Sequence, residues 1–130
     1  DTLLEWDARN IKGLNKNFDF IFYTWNGLDC MGHDDRIVCL QSIYDILNPG
    51  GLFYFSTHLL KSNMPNGWGR RLINRQLPLT YFIDPQTQIK QLQEIGFEII
   101  DMLDQQGNDL DLLNIDSTNY MMNYLVRKSL

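Results

Sequence analysis

The sequence predicts an α/β domain: a mostly parallel sheet, helices on both faces, and one antiparallel strand at its end. Three observations predict it. Aromatic and β-branched runs alternate with stretches of helical period, the pattern of strands joined by crossover helices. Pro and Gly punctuate the junctions. The last two strand-like runs have no helical stretch between them and therefore pair antiparallel.

The first strand is expected over Phe18 to Trp25, near-continuously apolar after Asp19, as in a strand covered on both faces. Asn26-Gly27 breaks it. From Asp34 to Leu47 the period changes: Ile37, Leu40, Tyr44 and Leu47 recur at helical spacing, with Val38, Ile43 and Ile46 beside them. Asp34 or Asp35 serves as N-cap or first-turn acid. Asn48-Pro49-Gly50-Gly51 ends that helix, and Leu52 to Thr57 forms the second strand. An irregular insert follows over about 59–82. Within it residues 63–69 read as a loop and 70–75 as a helical turn. Asp84 as N-cap, Pro85 at N1, the stripe Ile89, Leu92 and Ile95, and a closing Gly96 define the second helix. Residues 97–103 and 120–127 are the closing strands. The Asp- and Asn-rich segment 104–118 between them is a solvated loop that fails the calcium-loop pattern.

With 130 residues, the chain makes one domain. A net charge of −5 argues against non-specific binding of nucleic acid or anionic lipid. The two cysteines, Cys30 and Cys39, are too few for a disulfide framework and lack zinc spacing. No apolar run is long enough to cross a bilayer, and the first residues lack the pattern of a signal peptide. The expectation is a cytoplasmic protein and a piece of something longer.

Three passages carry a family resemblance. Glu5-Trp6-Asp7-Ala8-Arg9, followed by Phe18-Asp19-Phe20-Ile21-Phe22, resembles the loop and fourth strand of the class I S-adenosylmethionine-dependent methyltransferases. Leu47-Asn48-Pro49-Gly50-Gly51-Leu52-Phe53 resembles that family's turn into its fifth strand. Leu92-Gln93-Glu94-Ile95-Gly96-Phe97 resembles the helix end before its sixth strand, and Tyr120 to Lys128 its last strand. In order, these matches cover nearly the whole chain. The resemblance implies a partial Rossmann-like methyltransferase sheet holding family strands 4, 5, 7 and 6, the last antiparallel. It covers residues 1–130 as one partial domain. No G-x-G-x-G sequence occurs, so the family's glycine-rich cofactor loop is missing, and the chain is expected to hold only part of the site.

The resemblance implies S-adenosylmethionine as cofactor of the intact protein, with Asp7 accepting from the adenine amino group and Ala8 leaving the approach open. Thr24, Trp25 and Asn26 end the fourth-strand match, on the edge where open α/β sheets bind ligands. Each has a plainer reading, Asp7 as a turn acid and Trp25 as core. His58 ends the fifth strand on the same edge and is the expected catalytic histidine. His33 reads as an exposed loop histidine. Trp68, Arg70 and Tyr81 lie where the family varies its acceptor pocket and are expected to bind substrate, and Arg71 beside them reads as part of a solvated basic turn. Asp29, Cys30, His33, Asp34 and Asp35 match no metal-ligand spacing, so no metal is expected.

The leading functional reading is methyl transfer by the intact protein, with this chain supplying the adenine side and acceptor side and inactive alone. The methyl acceptor is a small molecule or a polymer. The alternative is a non-catalytic methyltransferase-like module for binding or oligomerisation. Without the family's first strand, residues 18–24 become a sheet edge, and an apolar edge is a template for pairing. Self-association through it is expected.

Overall fold

The computed structural model describes residues 6–24, 27–59, 66–69, 80–113, 115 and 119–130. After a 3-10 segment at Ala8–Leu14 come β1 (Phe18–Tyr23), a short 3-10 turn (Gly27–Cys30), α1 (His33–Ile46) and β2 (Leu47–His58). Then follow β3 (Gly67–Gly69), β4 (Thr80–Phe82), α2 (Pro85–Ile95), β5 (Phe97–Leu103) and β6 (Met121–Lys128). The main sheet has the order β1-β2-β6-β5. β1 and β2 run parallel, while β6 is antiparallel to both β2 and β5. The expected strand order and the antiparallel last strand are present, but only the β1–β2 pairing is parallel, so the sheet expected to be mostly parallel is mostly antiparallel, because β6 pairs on both its sides.

Local chemistry explains the best-anticipated element. Asp84 caps α2, its carboxylate accepting from the Thr87 backbone N–H, and Pro85 opens the first turn. At the other end Gly96 takes φ of +123°. A Cβ there would lie 2.8 Å from the Tyr44 hydroxyl, so both backbone and packing require glycine. α1 starts from Gly32 with no side-chain cap, and Asp34 and Asp35 occupy its first turn, favourably placed against the helix dipole.

Four details correct the sequence reading. β2 is longer than residues 52–57, because Leu47 already pairs with Phe18. The register then jumps to Phe20–Leu52, leaving the Pro-Gly-Gly turn as an irregularity inside the strand. The buried face of α1 holds Arg36, Cys39, Leu40, Ser42, Ile43 and Ile46, while Val38 stays 49% exposed. That stripe is rotated from the expected one. Gly67–Gly69, read as loop, pairs with β4 in a two-stranded ribbon. In the 104–118 segment, Leu110, Leu112 and Ile115 pack against the core, so the connection is anchored by its leucines rather than fully solvated. The expected turn at 70–75 lies outside the described residues.

The two faces of the sheet differ. Side chains alternate along each strand, and Phe53, Phe55, Tyr124 and Val126 all point to one face, where each is fully buried. Cys39, Leu40 and Ile43 of α1 and Leu92 of α2 complete that core. The opposite face presents Phe20 and Phe22, exposed at 50% and 60%. Phe22 stacks on Tyr54 at 5.0 Å between ring centres. Among the described residues both α-helices lie on the first face, linked by Arg36 to Gln88. The expected covering of both faces is thus met on one, and β1 is an edge strand as expected.

Candidate functional site

The carboxyl ends of the parallel strands β1 and β2 form the edge where an open α/β sheet takes ligands. Thr24 follows β1 and is half-buried, and Thr57 and His58 close β2, both buried. Between them the 3-10 turn delivers Asp29, which is 3% exposed. Asp29 Oδ1 accepts from the Thr57 hydroxyl at 2.5 Å, and Oδ2 accepts from the His58 backbone N–H at 2.8 Å. The His58 Nδ1 lies 2.6 Å from the same Oδ2. By alternation Ser56 and His58 belong to the open face, yet both are buried. Phe82 of β4 lies against the His58 ring at 5.9 Å, so the ribbon in the insert reaches this end of the sheet.

Behind Asp29 stands Arg36, fully buried on α1. Its guanidinium donates from Nη1 to Asp29 Oδ1 and to the Leu28 carbonyl, both at 3.0 Å. Nη2 donates to Thr57 Oγ1 at 3.0 Å and to Gln88 Oε1 at 2.6 Å, and Nε donates to Gln88 Oε1 at 2.8 Å. All five N–H donors are used, which is what burying this cation requires. Burial pushes the Asp29 carboxyl up. The His58 hydrogen bond, the Arg36 charge, the Thr57 hydroxyl and the His58 backbone N–H outweigh burial and hold it below the ordinary carboxylate value.

The sequence reading gave neither Arg36 nor the Asp29 cluster a role. A signal existed: Arg36 stands three residues before Cys39, four before Leu40 and seven before Ile43, on a buried helical stripe. A charge there demands a buried partner.

Asp7 and Ala8 open the first 3-10 segment, with Asp7 as its cap. The Asp7 carboxylate accepts from the Arg9 backbone N–H at 2.9 Å and from the Arg9 guanidinium at 2.7 Å. The Arg9 side-chain hydrogen bond lowers its pKa to about 2. Ala8 packs against the core cluster. Tyr81 is half-buried in β4, opposite the backbone of Trp68. Trp25, Asn26, Arg70 and Arg71 lie outside the described residues, as does the side chain of Trp68. The structure thus joins His58 to Asp29, Thr57 and Arg36, and holds Asp7 separately in a pair with Arg9.

The donor set fits an adenine in part. Asp7 is an exposed acceptor, and a carboxylate has about four lone-pair directions. Arg9 already occupies several of them, so an exocyclic amine must share Asp7 with Arg9 or displace it. No glycine-rich G-x-G-x-G loop stands in the sequence to meet the remainder of such a cofactor.

No protein-family model matches the chain, and no curated protein matches it. Solved structures do. An S-adenosylmethionine-dependent methyltransferase from Clostridium acetobutylicum ATCC 824 superposes with a TM-score of 0.70 at 17% identity, over 96% of this chain and 63% of its own. The glycopeptide N-methyltransferase MtfA, complexed with S-adenosyl-L-homocysteine, gives 0.73 at 15% identity, over 98% and 61%. A Burkholderia thailandensis 1,6-didemethyltoxoflavin-N1-methyltransferase gives 0.62 at 17%, over 98% and 47%. The chain spans less than two thirds of the length of these proteins. At such identities the likeness is one of fold, and that fold is the Rossmann-like fold of class I methyltransferases.

Proposed function

We propose that this chain is part of an S-adenosylmethionine-dependent methyltransferase, forming the adenine side and acceptor side of its site. One observation carries the reading. The sheet order β1-β2-β6-β5, with an antiparallel strand inserted next to the outermost one, is shared with methyltransferases over 96–98% of the chain.

Bound at the strand ends, the cofactor would supply an electrophilic methyl carbon. This chain's residues then have separate tasks. Asp7 accepts from the adenine amino group once Arg9 yields an oxygen, and Ala8 keeps the approach narrow but open. Thr24 follows β1 at that edge, and the reading assigns Trp25 and Asn26, next in the sequence, to the cofactor as well. Trp68, Arg70 and Tyr81, from the insert, shape the acceptor pocket. His58 is the catalytic residue at the end of β2. Much of the acceleration comes from alignment of the two reactants.

The glycine-rich half of the cofactor site comes from a preceding segment of the protein, and the 130-residue chain is inactive alone. The ladder of exposed Phe20 and Phe22 with half-buried Tyr54 supports this, because such a face asks for a covering layer. The same ladder favours the second reading, a non-catalytic module that self-associates through β1. Calorimetric titration with S-adenosylhomocysteine separates the two. A longer polypeptide containing this chain should bind, the 130-residue chain should not, and Asp7→Ala should weaken the binding about five- to tenfold, the worth of one hydrogen bond. Binding by neither polypeptide favours the module. Binding by the short chain sinks the assignment of half the site to a preceding segment.

A further inference from the structure

We infer that Arg9 is a specificity residue of the adenine side: it holds Asp7 Oδ2 until a 6-aminopurine takes that oxygen, and then moves onto Asp35. The adenine itself comes from the methyl-transfer reading, on which this assignment rests.

The two oxygens of Asp7 do different work. Oδ1 accepts from the Arg9 backbone N–H at 2.9 Å and from Nε at 3.1 Å. The backbone bond is the cap of the 3-10 segment, and it stays whatever the Arg9 side chain does. Oδ2 accepts from Nη2 at 2.7 Å and from Nε at 3.2 Å, and both of those donors belong to the guanidinium. The backbone of Arg9 is pinned, because the Ser42 hydroxyl of α1 donates to its carbonyl at 3.0 Å. Ala8 and Ile11, on either side, pack against the core. The guanidinium can therefore leave Oδ2 alone, with Asp7 and its cap held in place.

It also has somewhere to go. Nη1 lies 3.5 Å from Asp35 Oδ2, longer than the roughly 2.7–2.9 Å of a charge-assisted hydrogen bond. Asp35 stands in the first turn of α1, and among the described residues Arg9 is its ion-pair partner. One cation thus sits between two carboxylates, bonded to the first and close to the second. All three groups are about half exposed, and an ion pair in water is worth a few-fold in an equilibrium constant at most. The buried Arg36–Asp29 pair could not open so cheaply.

The exchange discriminates between purines. A 6-aminopurine presents a donor, which a carboxylate oxygen accepts once Arg9 has moved to Asp35. A 6-oxopurine presents an acceptor at the same place, which the carboxylate repels and the guanidinium meets. Arg9 on Asp7 competes with the first ligand and accommodates the second, so it narrows the preference that Asp7 alone would give.

Calorimetric titration of the longer polypeptide with S-adenosylhomocysteine and with its 6-oxo analogue, S-inosylhomocysteine, tests this. Arg9→Ala should tighten S-adenosylhomocysteine about two- to fivefold, the worth of an exposed ion pair, and weaken the 6-oxo analogue. Arg9→Gln, which keeps most of the length without the charge, should act in the same direction. Asp35→Asn removes the second carboxylate and should weaken S-adenosylhomocysteine about twofold. On the 130-residue chain, carboxyl ¹³C NMR should show the Asp7 midpoint rise from about 2 towards 3.8 in Arg9→Ala. A residue that merely held the 3-10 segment would, when removed, weaken both ligands alike and leave their ratio in place. Unchanged or weaker S-adenosylhomocysteine binding in both Arg9 variants overturns the inference, as does an unmoved ratio or an unmoved Asp7 midpoint, and the methyl-transfer reading survives each of these. Absence of binding in every variant, Arg9→Ala included, strikes the methyl-transfer reading and this assignment with it.

Discussion

On the helix-covered face of the sheet, Phe53, Phe55, Tyr124 and Val126 lose all contact with solvent. On the other face Phe20 and Phe22, of the same chemistry and both on β1 beside β2, keep at least half their surface in water. Stacking does not make the difference, since Phe22 on Tyr54 at 5.0 Å is as close as Phe55 on Tyr124 at 4.9 Å. The difference is a second layer. α1 and α2 turn a stacked aromatic row into a core, and they carry with them a polar cluster in which a buried Arg36 satisfies every donor. Burial belongs to layers, and a strand's own composition only permits it.

The largest test breaks the covered face at its charge. Arg36→Met removes the cation and leaves the Asp29 carboxylate buried, with Gln88 Oε1 and the Leu28 carbonyl stripped of their donors. Losing one partner of a buried pair costs about 3–5 kcal/mol, a large share of the stability of a domain this size. Urea denaturation should show the midpoint fall with the slope kept. A loss below about 1 kcal/mol would mean that the apolar rows alone hold this face together.

These contrasts mark where the sequence was legible. The α2 boundaries rest on Asp84, Pro85 and Gly96, residues whose effects are confined to a turn, so they could be read one by one. The antiparallel pairing of β5 and β6 followed from the absence of a helix between them, whereas the strand order came from the family resemblance. The Asp29–Arg36–Gln88 cluster joins positions 52 residues apart along the chain, and no local rule reports such a meeting. Its hint, a charge on the buried stripe of α1, was obscured because the stripe was centred on Ile37 and Tyr44, with Ile43 beside them, which leaves Arg36 off its axis. The apolar run of β1 misled in another way. It predicted cover on both sides, and cover is a property of what packs on a strand.

A smaller test sharpens the covered side at its rim. Asp84→Ala deletes the α2 cap and should cost about 1 kcal/mol at pH 7. The Asp84 carboxyl is pushed up by burial, but its hydrogen bonds with Thr87 and Asn66 hold it below the ordinary value of 3.8. The folded pKa lies under the unfolded one, so this stabilisation is present above about pH 4 and fades as pH falls through the folded value. Thermal unfolding of the two chains should therefore differ at pH 7 and converge in acid. A gap unchanged at low pH would show that Asp84 acts by packing.

The open face should give the smallest effect on stability and the clearest effect on association. Phe22→Lys forfeits the stack on Tyr54, a cross-strand pair worth up to about 1 kcal/mol, and opens no cavity because the ring is 60% exposed. The same lysine places a charge on the outer edge strand, where pairing with a second copy would occur. We expect sedimentation velocity to find the unaltered chain self-associating as concentration rises and the Phe22→Lys chain monomeric, at nearly equal urea midpoints. Phe53→Ala, one strand inward, should do the opposite, lowering stability by about 3–5 kcal/mol without removing the edge. If Phe22→Lys destabilised as strongly as Phe53→Ala, the open face would already be covered in solution by part of the same chain. If both chains stayed monomeric, the aromatic ladder would not be a pairing surface, and the module reading would lose the observation that favours it.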